Sequence, residues 1–197
     1  FIDLAYHAYC ARLMAEMAET IGETKDAAKY RKRWREVRAK FAARYVRTDG
    51  TLKIGNQTAC AMALFYGLVP DDRRAGAAEQ LAGLIRDNGN LMTTGFLGTR
   101  PLLPALSENG HHDLAGTLMR QRAFPSWGYE VENGATTIWE RWNSYTKEGG
   151  VHTPEMNSFS HYAFGAVCEW MMSELGGIDR AAAGFDRVKI APRPVKG

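Results

Sequence analysis

The stretch Thr20-Ile21-Gly22-Glu23-Thr24-Lys25-Asp26 decides how the first quarter of this chain folds. Before it, apolar residues recur at helical spacing: Ile2, Leu4, Ala5, Ala8, Tyr9, Leu13 and Met17. Gly22 can close that helix in the left-handed conformation. Thr24 can cap a second helix whose first turn holds Lys25 and Asp26. The second helix runs to about Val46 through Ala28, Tyr30, Trp34, Val37, Phe41 and Tyr45. Two long helices with so short a link form an antiparallel hairpin.

The same alternation continues downstream. Thr48-Asp49-Gly50-Thr51 is a turn, followed by a short extended piece from Leu52 to Ile54. Asn56-Gln57-Thr58 opens a helix, Ala59 to Leu68, that is apolar all round and therefore predicted to be an inner one. Pro70-Asp71-Asp72 starts the next helix, which ends near Asp87-Asn90. Leu91 to Thr99 is rich in Gly and Thr and reads as a loop on the functional face. Two further helices are predicted over Pro101–Glu108 and His111–Phe124, then an aromatic turn at Pro125–Tyr129. Asn143–Asn157 holds Gly149, Gly150 and Pro154 and reads as a loop; His161–Leu175 reads as a long apolar helix. The seven helices make the chain mainly α. The tail Phe185–Pro192 instead alternates apolar and polar residues, a strand pattern.

Composition sets limits on partners. With 45% hydrophobic and 24% charged residues, the 197-residue chain reads as globular. A net charge of +3 does not argue for nucleic acid. The basic cluster Tyr30-Arg31-Lys32-Arg33-Trp34-Arg35 fits a solvated helix face. No apolar run has the length of a membrane span. Cys10, Cys60 and Cys168 lack metal or disulfide spacing and read as small buried hydrophobes. No dinucleotide fingerprint, Walker loop or GxSxG elbow occurs, so neither metal nor cofactor is expected. His111 and His112 are adjacent and cannot share a helix face. Phe1 already lies inside an amphipathic pattern, so the chain reads as part of a longer protein.

The chemistry concentrates in Gly134-Ala135-Thr136-Thr137-Ile138-Trp139-Glu140-Arg141-Trp142, expected to be extended because Thr136, Thr137 and Ile138 are β-branched. Glu140 stands between two indoles. A carboxylate among aromatic rings is costly to desolvate, and a catalytic carboxyl needs such a pocket. The alternative is an ordinary Glu paired to Arg141 or Arg100. Glu130, Glu132 and Glu155 are other acidic candidates, but none has indoles on both sides. His161 follows Glu140 by 21 residues and reads either as a helix-start hydrogen-bonding residue or as a donor to a substrate hydroxyl. Asn157 and Ser158 just before it read as helix caps.

The Gly134–Trp142 stretch, together with Met156-Asn157-Ser158-Phe159-Ser160-His161-Tyr162-Ala163-Phe164-Gly165-Ala166-Val167, closely resembles the bacterial α-L-rhamnosidases of glycoside hydrolase family 78. Gly95–Thr99, Leu106–Gly110 and Pro125–Tyr129 fit the same pattern, and Gly184–Pro192 resembles the passage into that family's C-terminal β-domain. The resemblance implies part of an (α/α)6 barrel over residues 1–177, and over 178–197 a link and first strand of a β-sandwich. It implies inverting hydrolysis of terminal α-L-rhamnose, where two carboxyl groups stand roughly 6.5–9.5 Å apart across the sugar. Glu140 matches the general base and His161 a rhamnose-contacting histidine, with Trp139, Trp142 and, more weakly, Trp127 walling the pocket. The family's general acid sits on an earlier acidic segment that nothing here matches. The expected partners are a rhamnose-containing glycoside or polysaccharide and the N-terminal part of the same protein. The rival expectations are a sugar-binding or inactive fragment, and another (α/α)6 glycosidase or lyase.

Overall fold

A computed structural model describes residues 1–196. The first hairpin is present as expected: α1 spans Ile2–Thr20 and α2 spans Thr24–Tyr45. Gly22 takes φ +81° between them. Thr24 is the first helical residue rather than the cap, and Glu23 holds the cap position with no side-chain bond. The buried face of α1 also differs from the expected one. It is an alanine stripe, Ala5, Ala8, Ala11, Ala15 and Ala18, while Met17 is 59% exposed. Small side chains let α2 approach closely, with Val37 and Phe41 filling the seam.

Helix α3, Gln57–Phe65, is buried on nearly every side, as its composition predicts. Asn56 caps it by accepting the Ala59 N–H at 2.8 Å. Ahead of it, the predicted extended piece reduces to a bridge between Val46 and Leu52. After a short 3-10 turn at Asp71–Arg73, α4 runs from Arg74 to Asp87.

Helix α5 begins at Phe96 and reaches Glu108, five residues earlier than the expected start at Pro101. Pro101 and Pro104 lie inside it. Each removes a bond to the carbonyl four residues back. Those carbonyls belong to Leu97 and Arg100, both exposed residues. Gly98 sits against Thr58 of α3: a Cβ built there would lie 2.6 Å from Thr58 Oγ1.

Helix α6 covers only His112–Met119 rather than reaching Phe124. The expected aromatic turn is instead the start of a helix, α7, Trp127–Glu132, capped by Ser126 accepting the Tyr129 N–H. The Asn143–Asn157 loop contains a small hairpin, β1 (Tyr145–Thr146) with β2 (Gly150–Val151).

The last helical stretch changes pitch along its length: a 3-10 turn at Ala163–Ala166, an α-turn at Val167–Trp170, and a π-turn at Met171–Leu175. The tail forms two strands, β3 (Ile178–Arg180) and β4 (Val188–Ile190), paired antiparallel. Beyond them it folds back: Arg193 donates through Nη2 to Ser107 O at 3.1 Å, and Val195 packs on Gly116.

Cys60 is buried, and desolvation pushes its thiol up to about 12. Cys10 and Cys168 are exposed, which corrects the expectation that all three are buried. Cys10 lies off the alanine stripe of α1, so its apolar neighbours in sequence are not its neighbours in space. Among the described residues no cluster of His, Cys, Asp and Glu could hold a metal ion, and no helix is long and apolar enough to cross a membrane.

Candidate active site

The segment 134–142 forms neither helix nor strand, but it is tied residue by residue to 156–161. Thr137 Oγ1 donates to Phe159 O. His161 N–H donates to Ile138 O at 2.8 Å. Glu140 N–H donates to Ser158 O at 2.9 Å, and Ser158 N–H donates to Glu140 Oε2 at 2.7 Å. Arg141 Nε donates to Met156 O at 3.0 Å. This ladder fixes the two motifs that the sequence separates. It places Glu140 and His161 on one framework.

Glu140 opens onto a cleft of about 280 Å³ lined by Thr94, Gly95, Phe96, Phe124, Glu140, Arg141, Trp142, Asn143 and Phe164. Aromatic rings build its wall. Trp142 stacks on Phe164, 3.9 Å between centroids and 11° between planes. Phe164 in turn meets Phe96 at 5.2 Å. Phe96 stacks on His161 at 4.5 Å and 14°. The carboxylate and flat apolar faces of the cleft suit a polyhydroxylated ring, whose C–H faces stack and whose hydroxyls need donors and acceptors; His161 joins them through its stack on Phe96 and does not itself line the cleft.

The indoles on either side of Glu140 part company. Trp142 lines the cleft, but Trp139 does not. Trp139 is buried against Tyr145 and Phe159, whereas Trp142 sits in the turn closed by the Ser144 N–H on Arg141 O and reaches the cleft. Trp127 lies behind the cleft: its Nε1–H donates to Phe164 O at 2.9 Å, and its ring meets Trp142 edge-on. It positions the aromatic wall from the rear. Phe124 and Phe164 line the cleft without a role expected from sequence. Phe96 lies within the Gly/Thr-rich stretch Leu91–Thr99 expected on the functional face; that stretch reaches the cleft through Thr94, Gly95 and Phe96, although from Phe96 on it is the first turn of α5 and not a loop.

Glu140 is the only carboxylate that lines this cleft among the described residues. Glu132 is exposed and paired with Arg122 at 2.7 Å, and Glu155 is exposed. Glu130 is 2% exposed, and its Oε1 has no partner. It faces a separate cavity of about 340 Å³ with Met119, Trp127, Ile138, Val167 and Met171. Desolvation pushes its carboxyl up to about 8, so it is neutral at pH 7.

Residues 1–175 match the model of the bacterial alpha-L-rhamnosidase six-hairpin glycosidase domain. An alpha-L-rhamnosidase of Streptomyces avermitilis is 48% identical over 193 residues, covering 98% of this chain and 18% of that protein. One from Formosa agariphila is 38% identical over 195 residues, covering 98% of this chain and 21% of that protein. The crystal structure of the Streptomyces avermitilis alpha-L-rhamnosidase complexed with L-rhamnose superimposes with a TM-score of 0.92 at 47% identity, over 98% of this chain and 18% of that one. The native Aspergillus terreus enzyme gives 0.92 at 31% identity, over 97% of this chain and 22% of that one. The chain thus spans about a fifth of the length of these relatives. Over that span it belongs to the bacterial alpha-L-rhamnosidase six-hairpin glycosidase domain family.

Proposed function

We propose that this chain supplies the general-base half of an α-L-rhamnosidase active site, in a protein that hydrolyses terminal α-L-rhamnose with inversion. The observation that carries this reading is the placement of Glu140. Its carboxylate opens on an aromatic cleft while one oxygen, Oε2, is held by the Ser158 amide. The other oxygen is left to accept a proton from a water. In an inverting site that water attacks the anomeric carbon as a second carboxyl protonates the departing oxygen. Among the described residues the cleft has no second carboxyl, so the acid comes from elsewhere in the parent protein. His161, stacked on Phe96, serves as a hydrogen-bonding partner for a sugar hydroxyl. Trp142 offers its face to the sugar, whereas Trp139 and Trp127 support the wall from behind. We read residues 178–197 as the link into a following β-module, with the paired strands β3 and β4 as its opening.

The test is Glu140→Gln in the intact enzyme, assayed on an aryl α-L-rhamnoside. The expected result is a loss of kcat by several orders of magnitude with sugar binding largely kept. Wild-type-like turnover overturns the base assignment. Rhamnose released first in the retained configuration, followed by NMR, overturns the water-activating role.

The missing second carboxyl also favours a narrower reading of the isolated chain: by itself it binds sugar without cleaving it. Clear turnover of an aryl rhamnoside by the isolated chain excludes that reading.

A further inference from the structure

The geometry around Ser144 points to a positioning residue for Glu140, and this inference rests on the reading of Glu140 as the base. Ser158 contributes nothing to Glu140 through its side chain; the contact is a backbone N–H on Oε2 at 2.7 Å. Its aim therefore depends on the path of the backbone at Met156-Asn157-Ser158. That path is unusual, because Met156 has φ +46°, a conformation that non-glycine residues rarely hold without support.

Two side chains supply the support. Arg141 Nε takes the Met156 carbonyl. Asn157 Nδ2 donates to Ser144 O at 3.1 Å. Ser144 is a fixed point: fully buried, it donates N–H to Arg141 O at 3.1 Å, and its carbonyl also accepts the His152 N–H at 3.0 Å. Asn157 thus ties the segment carrying the Ser158 amide to the turn that follows Glu140. Its Oδ1 is buried without a partner. A buried amide that satisfies its nitrogen and leaves its oxygen unpaired is costly as mere packing. What the side chain gives is the donated bond.

We propose that Asn157 is a positioning residue. Through Ser144 it holds the Ser158 N–H on the Glu140 carboxylate, fixing one oxygen and leaving the other free for water. Losing the tether frees the Ser158 N–H from Oε2 and lets the carboxylate turn away from the position in which its free oxygen meets water.

The experiment measures kcat per folded molecule and KM for Asn157→Ala and Asn157→Leu in the intact enzyme on an aryl α-L-rhamnoside, with Glu140→Gln alongside. Asn157→Leu keeps the volume, loses the Nδ2 donor and adds no charge, so it guards against a packing defect in the Ala variant. The expected result is a fall in kcat of about 10- to 100-fold, the range seen when supporting partners of a functional group are removed. KM should stay within about 3-fold. Parent-like kcat, or a loss that the folded fraction accounts for, overturns the positioning role. Loss of fold in both variants overturns it too, since Asn157 is then structural. If Glu140→Gln stays active, the base assignment itself fails, whatever Asn157 does.

Discussion

His161 lies flat on Phe96, with 4.5 Å between ring centroids and 14° between planes. The histidine comes from the segment before the last helix and the phenylalanine from the first residue of α5. One flat contact therefore ties the Gly/Thr-rich stretch to the framework that carries Glu140. Phe96 is 40% exposed, so removing its ring costs the fold little. An aromatic contact of this kind contributes about 0.5–1.5 kcal/mol. Phe96→Ala in the intact enzyme should raise KM about 2- to 10-fold while kcat falls less. An unchanged KM would mean that the stack does not orient His161 for substrate.

Glu130 should leave a mark on stability. Its carboxyl is raised to about 8 by desolvation, against an ordinary value of 4.5. Between these values the folded chain holds a proton that the unfolded chain has released. Stability is therefore greatest below about pH 4.5 as far as this group is concerned. It falls with a slope on the order of 1.4 kcal/mol per pH unit as pH rises toward 8, then levels. Glu130→Gln keeps the shape without the ionisation and should flatten that slope. Urea melts at several pH values check this; parallel curves for parent and variant would refute it.

Gly98 allows α5 to approach α3, and a Cβ there meets Thr58 Oγ1 at 2.6 Å and Thr58 Cβ at 3.0 Å. Thr58 is β-branched and stiff, so Gly98→Ala should destabilise by about 1–3 kcal/mol. Adding Thr58→Ala removes the Oγ1 contact but leaves Thr58 Cβ at 3.0 Å and Thr94 Cγ2 at 2.9 Å, so it should recover part of that loss. Additive losses in denaturant melts would place the damage elsewhere.

Ser107 Oγ accepts from Trp170 Nε1 at 2.8 Å and lies 2.9 Å from His112 Nδ1. Trp170 is fully buried, so Ser107→Ala strands its N–H. The expected cost is about 1–3 kcal/mol, read as a lower midpoint with unchanged m-value. Ser107→Thr, which keeps the oxygen, should lose less.

The helical hairpin at Gly22 and the inner helix α3 were legible because glycine placement and all-round apolarity are local signals. The motifs around Glu140 and His161 are legible as sequence patterns, whereas the backbone pairing that lays them side by side is not. The alanine face of α1 was not legible. Hydropathy ranks Met17 above Ala15, but close helix packing selects for size. Pro101 reads as a helix start by propensity, yet α5 begins at Phe96 and carries Pro101 and Pro104 inside it. The divergence of Trp139 and Trp142 depends on the ladder to 156–161, a pairing no single segment encodes. Glu130 looked like one acidic residue among several; its isolation appears only when the surrounding helices are packed.

The hydroxyl of Ser107 has a further consequence. Its oxygen accepts the Trp170 Nε1–H; because Arg193 O can only accept, His112 Nε2 carries the hydrogen of that 2.6 Å bond, and Nδ1 of the neutral ring then accepts the Ser107 O–H. This single chain of donors runs from the last helix through α5 and α6 into the tail. Its direction is set at one end, and every member depends on the next for a partner. Fraying at Arg193 is felt as an unpaired imidazole beside α5, while loosening α5 releases both the tryptophan and the tail. Hydrogen exchange would then report these distant pieces as one opening event, with the far end of the chain as hard to peel away as the helix beneath it.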